Sequence, residues 1–323
     1  MARAKTPACP LRIAPQLVTL VSAPPVGGWL YEIKFDGYRM MVRIDQQITL
    51  LTRNGYDWTK RMPRLAQELQ TLPVRTAWID GEVIVQDDEG RPVFQPLQSA
   101  FSSGKTDDLI YFAFDLLFLN GKDLRSLAVE KRRVKLHRLI EDASLEHVRF
   151  SETFDVDPRD LLANVCAMQI EGIVGKRAGS FYASERNGNW IKIKCDNRQE
   201  FVILGYTRAA ASIGSLLIGL HDDDGNLTYA GRVQSGFDAR TLTNLRPRLR
   251  ALERSASPLP IPPRLSKGLV VSWVDPVLVC EVKFAEITPK GKVRHAVFKG
   301  LREDKLASGI SLESSTSDQL PST

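Results

Sequence analysis

Lys34 opens the segment Lys34-Phe35-Asp36-Gly37, with Glu32 two residues before it and Arg39 shortly after. A lysine amine can attack the α-phosphate of a nucleotide and hold the nucleotidyl group as a phosphoramide, provided the amine is neutral when it attacks. A free lysine, with a pKa near ~10.4, is almost wholly protonated at neutral pH. The surroundings must therefore favour the neutral form, and nearby positive charge, from other cations or a bound metal, does so. Arg39, Arg53, Lys176, Lys192 and Lys194 are the cations expected to supply it. The tetrad alone is weak, because four residues recur by chance and a surface turn could carry the same lysine as solvated decoration. Five later segments add charge in order: Thr52-Arg53-Asn54-Gly55, Asp80-Gly81-Glu82, Phe112-Ala113-Phe114-Asp115, Glu171-Gly172-Ile173-Val174-Gly175-Lys176-Arg177 and Trp190-Ile191-Lys192-Ile193-Lys194.

These residues need a scaffold, and hydrophobic periodicity supplies one. Strand-like alternation runs from Trp29 through Met40–Ile44, then through Ile48–Thr52, Trp78–Val85 and Leu109–Leu119. Helical spacing fits Met62–Leu72, the basic stretch Ala128–Asp142, and Pro158–Gln169 with Asp157 as N-cap. Ile173–Lys176 and Trp190–Lys194 read as short strands. A period of two puts Lys192 and Lys194 on one face of the latter and Ile191 and Ile193 on the other. After Cys195 the character changes to short β segments: Phe201–Tyr206, Ser215–His221, Leu227–Val233, Leu269–Trp273 and Val277–Phe284, with one helix over Ala239–Leu252. Five strands around a single helix suggest a small barrel of oligonucleotide-binding (OB) type. A proline-rich loop over Ser257–Pro263 interrupts it, and the Ser/Thr-rich residues from Ala307 are expected to be disordered.

The 323 residues allow two domains with separate cores. Hydrophobic content of 43% and charged content of 25% suit a globular protein. No apolar run has the length of a membrane span, and Met1–Lys5 leads into no signal-peptide core, so the expected location is the cytoplasm. Cys9, Cys166, Cys195 and Cys280 lie far apart without a Cys-x-x-Cys pair, and they are expected to be reduced thiols. The histidines are equally scattered, which argues against zinc. A formal net charge of +6 suits a polyanionic partner, although charge alone fits any basic soluble protein equally well.

The ordered succession of six segments resembles the covalent nucleotidyltransferases: ATP-dependent DNA ligases, RNA ligases and mRNA capping enzymes. It is most similar to the ligase module of bacterial end-joining DNA ligases. Pro15-Gln16-Leu17 through Trp29-Leu30-Tyr31, Tyr229–Val233, Arg294-His295 and Phe298–Lys305 carry that finer likeness, which extends from about Leu11 to Lys305. The resemblance implies an α+β fold: an adenylation domain of antiparallel sheets flanked by helices (residues 1–196), a C-terminal OB barrel (197–306) and a tail (307–323). It also implies roles. Lys34 would become adenylylated; Glu32 and the backbone beside it would place the adenine, and Phe114 would stack on it. Glu82 would accept from the ribose hydroxyls, Arg39 would lie near ribose or phosphate, and Arg53 would meet phosphate. Glu171, with Asp36 assisting, would bind Mg²⁺, with Mn²⁺ as an alternative. Lys192 and Lys194 would hold the α-phosphate as pyrophosphate leaves, with Lys176 and Arg177 as further cations for that task. Lys299 and Arg302, beside Asp304 and Lys305, would orient the outer phosphates of ATP. Taken singly, Phe114 reads as a core aromatic, Glu82 as a hairpin carboxylate, and the lysine pair as an exposed edge.

The function so implied is sealing of 5′-phosphate/3′-hydroxyl nicks in duplex DNA through lysyl-AMP and DNA-adenylate. The setting would be double-strand-break repair beside bacterial Ku and separate end-processing enzymes, with a monomeric ligase acting on the nucleoid. An RNA ligase or capping-type transferase, and a non-catalytic module that binds DNA ends, are the other readings. Related end-joining ligases are often fused to polymerase-primase and phosphoesterase domains, for which this sequence has no room. A stand-alone enzyme and one module of a longer chain both fit.

Overall fold

The computed structural model describes residues 7–209, 212–265 and 269–313. They form two compact units that divide between Cys195 and Asp196.

The first unit is built on two sheets. The larger runs in the order Ile48–Thr52, Tyr38–Ile44, Ala77–Ile84, Ile110–Leu119, Lys122–Asp123, all antiparallel, with Val148–Phe150 added parallel to Ile110–Leu119. Its central strands are near-continuous apolar runs because both faces are covered. Met40, Val42, Ala77 and Ile79 pack with Leu65 and Leu69 of the helix Pro63–Gln70 and Leu136 and Ile140 of the helix Val129–Ala143. Met41, Trp78 and Leu117 point the other way and meet Ile13, Tyr182 and Trp190.

Trp190 belongs to the smaller sheet, ordered Thr19–Leu20, Trp190–Lys194, Gly172–Arg177, Trp29–Ile33. Ile191 and Ile193 of that sheet face Leu161 and Val165 of the helix Pro158–Ala167. Asp157 caps this helix, its side chain accepting from the Arg159 N–H. The helix Phe94–Ser103 has no counterpart in the periodicity reading, because Pro96 and a ten-residue length obscure the stripe Phe94, Leu97, Phe101.

The expectation of four reduced thiols is corrected: Cys166 and Cys195 form a disulfide with Cα atoms 5.4 Å apart. The residues are distant in sequence, but the helix Pro158–Ala167 packs on the sheet so that its last turn meets the end of Trp190–Lys194. Cys9 and Cys280 are free.

In the second unit, Ser212–His221 pairs with Leu227–Val233 on one side and Arg198–Ala209 on the other. Arg198–Ala209 pairs on with Val279–Lys283, which pairs with Val297–Leu301. A bridge from Ser235 to Val297 brings the two ends of this five-strand path together, as in a partly open barrel. The fifth barrel strand is therefore Val297–Leu301. The strand expected over Leu269–Trp273 forms at Val271–Val274 and branches from Arg198–Ala209 beside Glu253–Arg254. Leu245 and Leu249 of the helix Ala239–Ala251 complete this core. Disorder from Ala307 is also corrected. Ala307–Gly309 is a 3₁₀ turn, and Ile310 is buried in the core, its carbonyl accepting from the His221 N–H. The rest of the expected tail, residues 314–323, lies outside the described residues.

Candidate active site

Lys34 follows directly on the strand Trp29–Ile33, and its backbone N–H donates to the Gly172 carbonyl at 2.9 Å. That bond fastens the lysine to the residue after Glu171. Beyond it, a Cβ on residue 37 would stand 2.2 Å from the Val83 carbonyl, so only Gly37 lets the segment lie against Ala77–Ile84. Phe35 stacks on Phe112 at 4.3 Å, pinning the segment to Ile110–Leu119.

Lys34 Nζ pairs with the Glu171 carboxylate; the two side chains are 18% and 7% exposed. Burial alone would lower the lysine pKa, but Glu171, with Asp36 and Glu82 contributing, raises it above the usual value. Carboxylates thus act on the amine and hold it charged.

Two of the expected cations are committed elsewhere. Arg39 grips the buried Asp80 with Nε at 2.9 Å and Nη2 at 2.6 Å, and its Nη1 donates to the Gln16 carbonyl at 2.6 Å. Tyr182 Oη donates to the same aspartate at 2.8 Å. Arg39 also lies 5.5 Å from the ring centres of Phe114 and Trp190, so it acts as a buried brace behind the expected base-stacking ring. Lys176, 1% exposed, pairs with Glu32 at 2.5 Å, donates to the Phe114 carbonyl at 2.8 Å, and stands 4.7 Å from the Phe114 ring centre. Desolvation, only partly offset by Glu32, lowers its pKa to about 8.

Glu32 is likewise engaged. Beside Lys176 it accepts from Arg133 Nη1 and Ser151 Oγ, both at 2.7 Å. Its side chain is an internal anchor, which leaves the neighbouring backbone for any base contact. Arg133 also donates to the Phe114 carbonyl at 3.1 Å, so Phe114 is fixed from three sides. Sequence reasoning missed Arg133 and Ser151. A signal existed: buried Val129, Arg132, Arg133, Leu136 and Ile140 form the inward stripe of their helix, and two arginines occupy apolar positions.

Lys192 is buried and Lys194 half-buried on an interior strand, so the exposed-edge reading fails for both. Arg177 alternates with Lys176 and is half-buried. Arg53 stands half-buried on the turn after Ile48–Thr52, and Glu82 lies in register between Arg39 and Phe112. Among the described residues no group of three or more His, Cys, Asp or Glu could by itself hold a metal ion. Glu171 and Asp36 still offer hard oxygen donors beside the amine. Mg²⁺ commonly takes one or two carboxylates and completes its shell with water and substrate phosphate, so the donor set fits.

In the second unit, Lys299 is half-buried on the strand Val297–Leu301. Arg302 is caged: Nε and Nη2 meet Asp304 at 2.9 Å, and Nη1 meets Glu281 at 3.0 Å. Lys305 pairs with Glu200 at 3.2 Å. In this conformation Arg302 is an internal tie, not a ligand-facing cation.

Family models complete the comparison. Residues 16–194 match the ATP dependent DNA ligase domain, and residues 209–305 match the ATP dependent DNA ligase C terminal region. The chain belongs to the ATP-dependent DNA ligase family. The chain is 50% identical over 316 residues to the multifunctional non-homologous end joining protein LigD of Pseudomonas aeruginosa, covering 96% of this chain and 37% of that protein. It is 35% identical over 308 residues to LigD of Mycobacterium tuberculosis, covering 92% and 39% respectively. Among solved structures, a mycobacterial DNA ligase D complexed with ATP and MES matches with a TM-score of 0.68 at 34% identity, over 93% of this chain and 98% of that one. The ligase domain of M. tuberculosis LigD, also 34% identical over the same shares, matches with a TM-score of 0.51. The chain thus spans less than two fifths of the length of these curated relatives. Among the described residues, no helix is long and apolar enough to cross a membrane.

Proposed function

We propose that this ligase seals 5′-phosphate/3′-hydroxyl nicks in duplex DNA, with ATP as AMP donor, as the joining unit of a bacterial end-joining system. The observation that carries the reading is Lys34 at the head of Lys-x-Asp-Gly, half enclosed and in contact with Glu171, within a fold of this family. Lys34 must shed its proton before it attacks, and until then the Glu171 carboxylate in contact with it favours the ammonium form. The amine then bonds to the α-phosphorus of ATP while the bond to the β-phosphate oxygen breaks and pyrophosphate leaves. Lys192 and Lys194 supply positive charge for the phosphates, and Phe114, braced by Arg39, Lys176 and Arg133, gives the purine a fixed ring. Mg²⁺, held by Glu171 and Asp36, would neutralise phosphate charge. AMP next passes from Lys34 to the DNA 5′-phosphate, and the 3′-hydroxyl displaces it.

The 50% identity to a multifunctional end-joining protein supports repair of broken ends as the setting; an end-bridging Ku protein, separate end-processing activities, the nucleoid and a monomeric state are inferred from that setting. The test is incubation of the purified protein with labelled ATP and Mg²⁺, then with nicked duplexes. Lys34→Ala is expected to lose AMP labelling and sealing of ordinary nicks while still joining pre-adenylylated nicks. Covalent AMP on Lys34→Ala would remove Lys34 as nucleophile, and a wild type that joins only RNA nicks would replace the substrate.

A further inference from the structure

No step of adenylyl transfer uses the disulfide Cys166–Cys195, yet it stands one hydrogen bond from the site. The Cys195 N–H donates to the Glu171 carbonyl at 2.9 Å. One residue on, Gly172 pairs in register with Lys194, and its carbonyl accepts from the Lys34 N–H at 2.9 Å. Glu171 therefore has its backbone tied to Cys195, the following residue tied to Lys34, and its carboxylate against Lys34 Nζ.

The helix Pro158–Ala167 reaches Glu171 through a tight turn. The Met168 N–H donates to the Asn164 carbonyl and the Gln169 N–H to the Cys166 carbonyl, each at 3.0 Å. Gln169 takes φ of 60°, a left-handed conformation that residues other than glycine rarely adopt. The disulfide closes this turn into a short ring. It runs from Cys166 to Glu171, across the hydrogen bond to Cys195, and back through the two sulfurs.

The pair is also placed to exchange. Both cysteines are half-buried, with exposed Ala167, Met168 and Gln169 beside one and exposed Asn197 near the other. Exchange needs an attacking thiolate to reach one of the two sulfurs. The free cysteines, Cys9 and Cys280, have thiols that burial pushes above the ordinary pKa, which leaves little thiolate for oxidation.

We propose that Cys166 and Cys195 form a reversible thiol–disulfide switch that sets how firmly Glu171 is held against Lys34. In the oxidised form the ring fixes the Glu171 carboxylate beside the amine. Reduction by a dithiol breaks the S–S bond: the dithiol gives up two electrons and two protons and becomes a disulfide, and both cysteines become thiols. Hydrogen peroxide reverses the step, taking two electrons and two protons from the thiols and leaving as two waters. Without the bond, the turn that carries Glu171 keeps its backbone hydrogen bonds and the buried Ile170 but loses its covalent tie to the strand. The proposal rests on the ligase reading only in taking Lys34 as the amine that accepts AMP.

The test compares the full chain oxidised with hydrogen peroxide and reduced with dithiothreitol, at a temperature where near-ultraviolet circular dichroism shows both folded. Alkylation and mass spectrometry read the state of each cysteine. Two readouts should move in opposite directions. AMP labelling should slow on the order of tenfold on reduction, within the roughly 100-fold that a shift of about 1 Å at reacting groups can cost. Trace acetylation of Lys34, which only the neutral amine undergoes, should become severalfold faster, because Glu171 favours the ammonium form less firmly. Acetylation of Lys176, paired with Glu32, should not change. Peroxide should restore both Lys34 values. Cys166→Ala with Cys195→Ala should keep the reduced values whatever the reagent, and Cys9→Ser should respond like wild type.

Equal AMP labelling and equal Lys34 acetylation in the two folded states would overturn the proposal and leave the bond a stability element. So would a redox response that survives in the double variant, because another group would then carry it. Peroxide-treated protein whose Cys166 and Cys195 both remain open to alkylation would overturn it as well. A protein that takes no AMP in either state would sink the ligase reading, while the Lys34 acetylation ratio would still decide this proposal.

Discussion

Replacing Glu171 with Gln tests the electrostatics of the nucleophile without relying on ligation. The wild-type carboxylate contacts Lys34 Nζ directly, and the pair is mostly enclosed. A hydrogen bond to a charged partner contributes about 1.5–3 kcal/mol. The glutamine amide keeps the shape and loses the charge, while Asp36 and Glu82 remain as weaker influences. Burial, which disfavours the ammonium, then meets less opposition. At a given pH the neutral fraction of Lys34 should rise about 10- to 150-fold, from about 1.36 kcal/mol per tenfold change.

Neutral amines react with acetic anhydride and ammonium groups do not, so trace acetylation read by mass spectrometry reports that fraction directly. In wild type without nucleotide, the Lys34 peptide should label slowly at mildly alkaline pH. Its labelling should climb about tenfold per pH unit to beyond the ordinary lysine range, because the folded pKa is raised. In Glu171→Gln, labelling at the same pH should be faster by the factor above, and its plateau should arrive at lower pH. Equal or slower labelling in a folded Glu171→Gln protein would refute the claim that Glu171 holds the amine charged.

Lys176 and the disulfide give two further outcomes. Burial lowers the Lys176 pKa to about 8, against 10.5 for an ordinary lysine. Between those values the unfolded chain binds more protons, so stability should rise with pH across that window, by up to about 3 kcal/mol. Urea unfolding at both ends of the window should show this rise in wild type and a flatter response in Lys176→Met. The Cys166–Cys195 disulfide closes a loop with a sequence separation of 29. Reduction or Cys166→Ser should therefore remove about 3–4 kcal/mol, read from denaturant midpoints with and without reductant. Identical midpoints would show that the folded chain carries free thiols.

How much of this was legible in sequence depended on whether a signal was local. The strands around Lys34, the helix capped by Asp157, and the alternation of Lys192 and Lys194 with Ile191 and Ile193 are periodic patterns in one stretch of chain, and the structure contains them. Side-chain partners are not local. Glu32 meets Arg133 across 101 residues and Ser151 across 119, and Cys166 meets Cys195 only because a helix packs on a strand. The same cause explains why two of the expected cations, Arg39 and Lys176, are committed to other partners. Sequence shows which charges a segment carries but not which are already neutralised by their own partners. Asp80 takes Arg39 and Glu32 takes Lys176, so the charge of these two goes to holding Phe114 and the two sheets. At the amine Glu171, with Asp36 and Glu82 behind it, favours the charged form. The acetylation experiment exposes this directly, because Glu171→Gln should make the amine reactive with no nucleotide present.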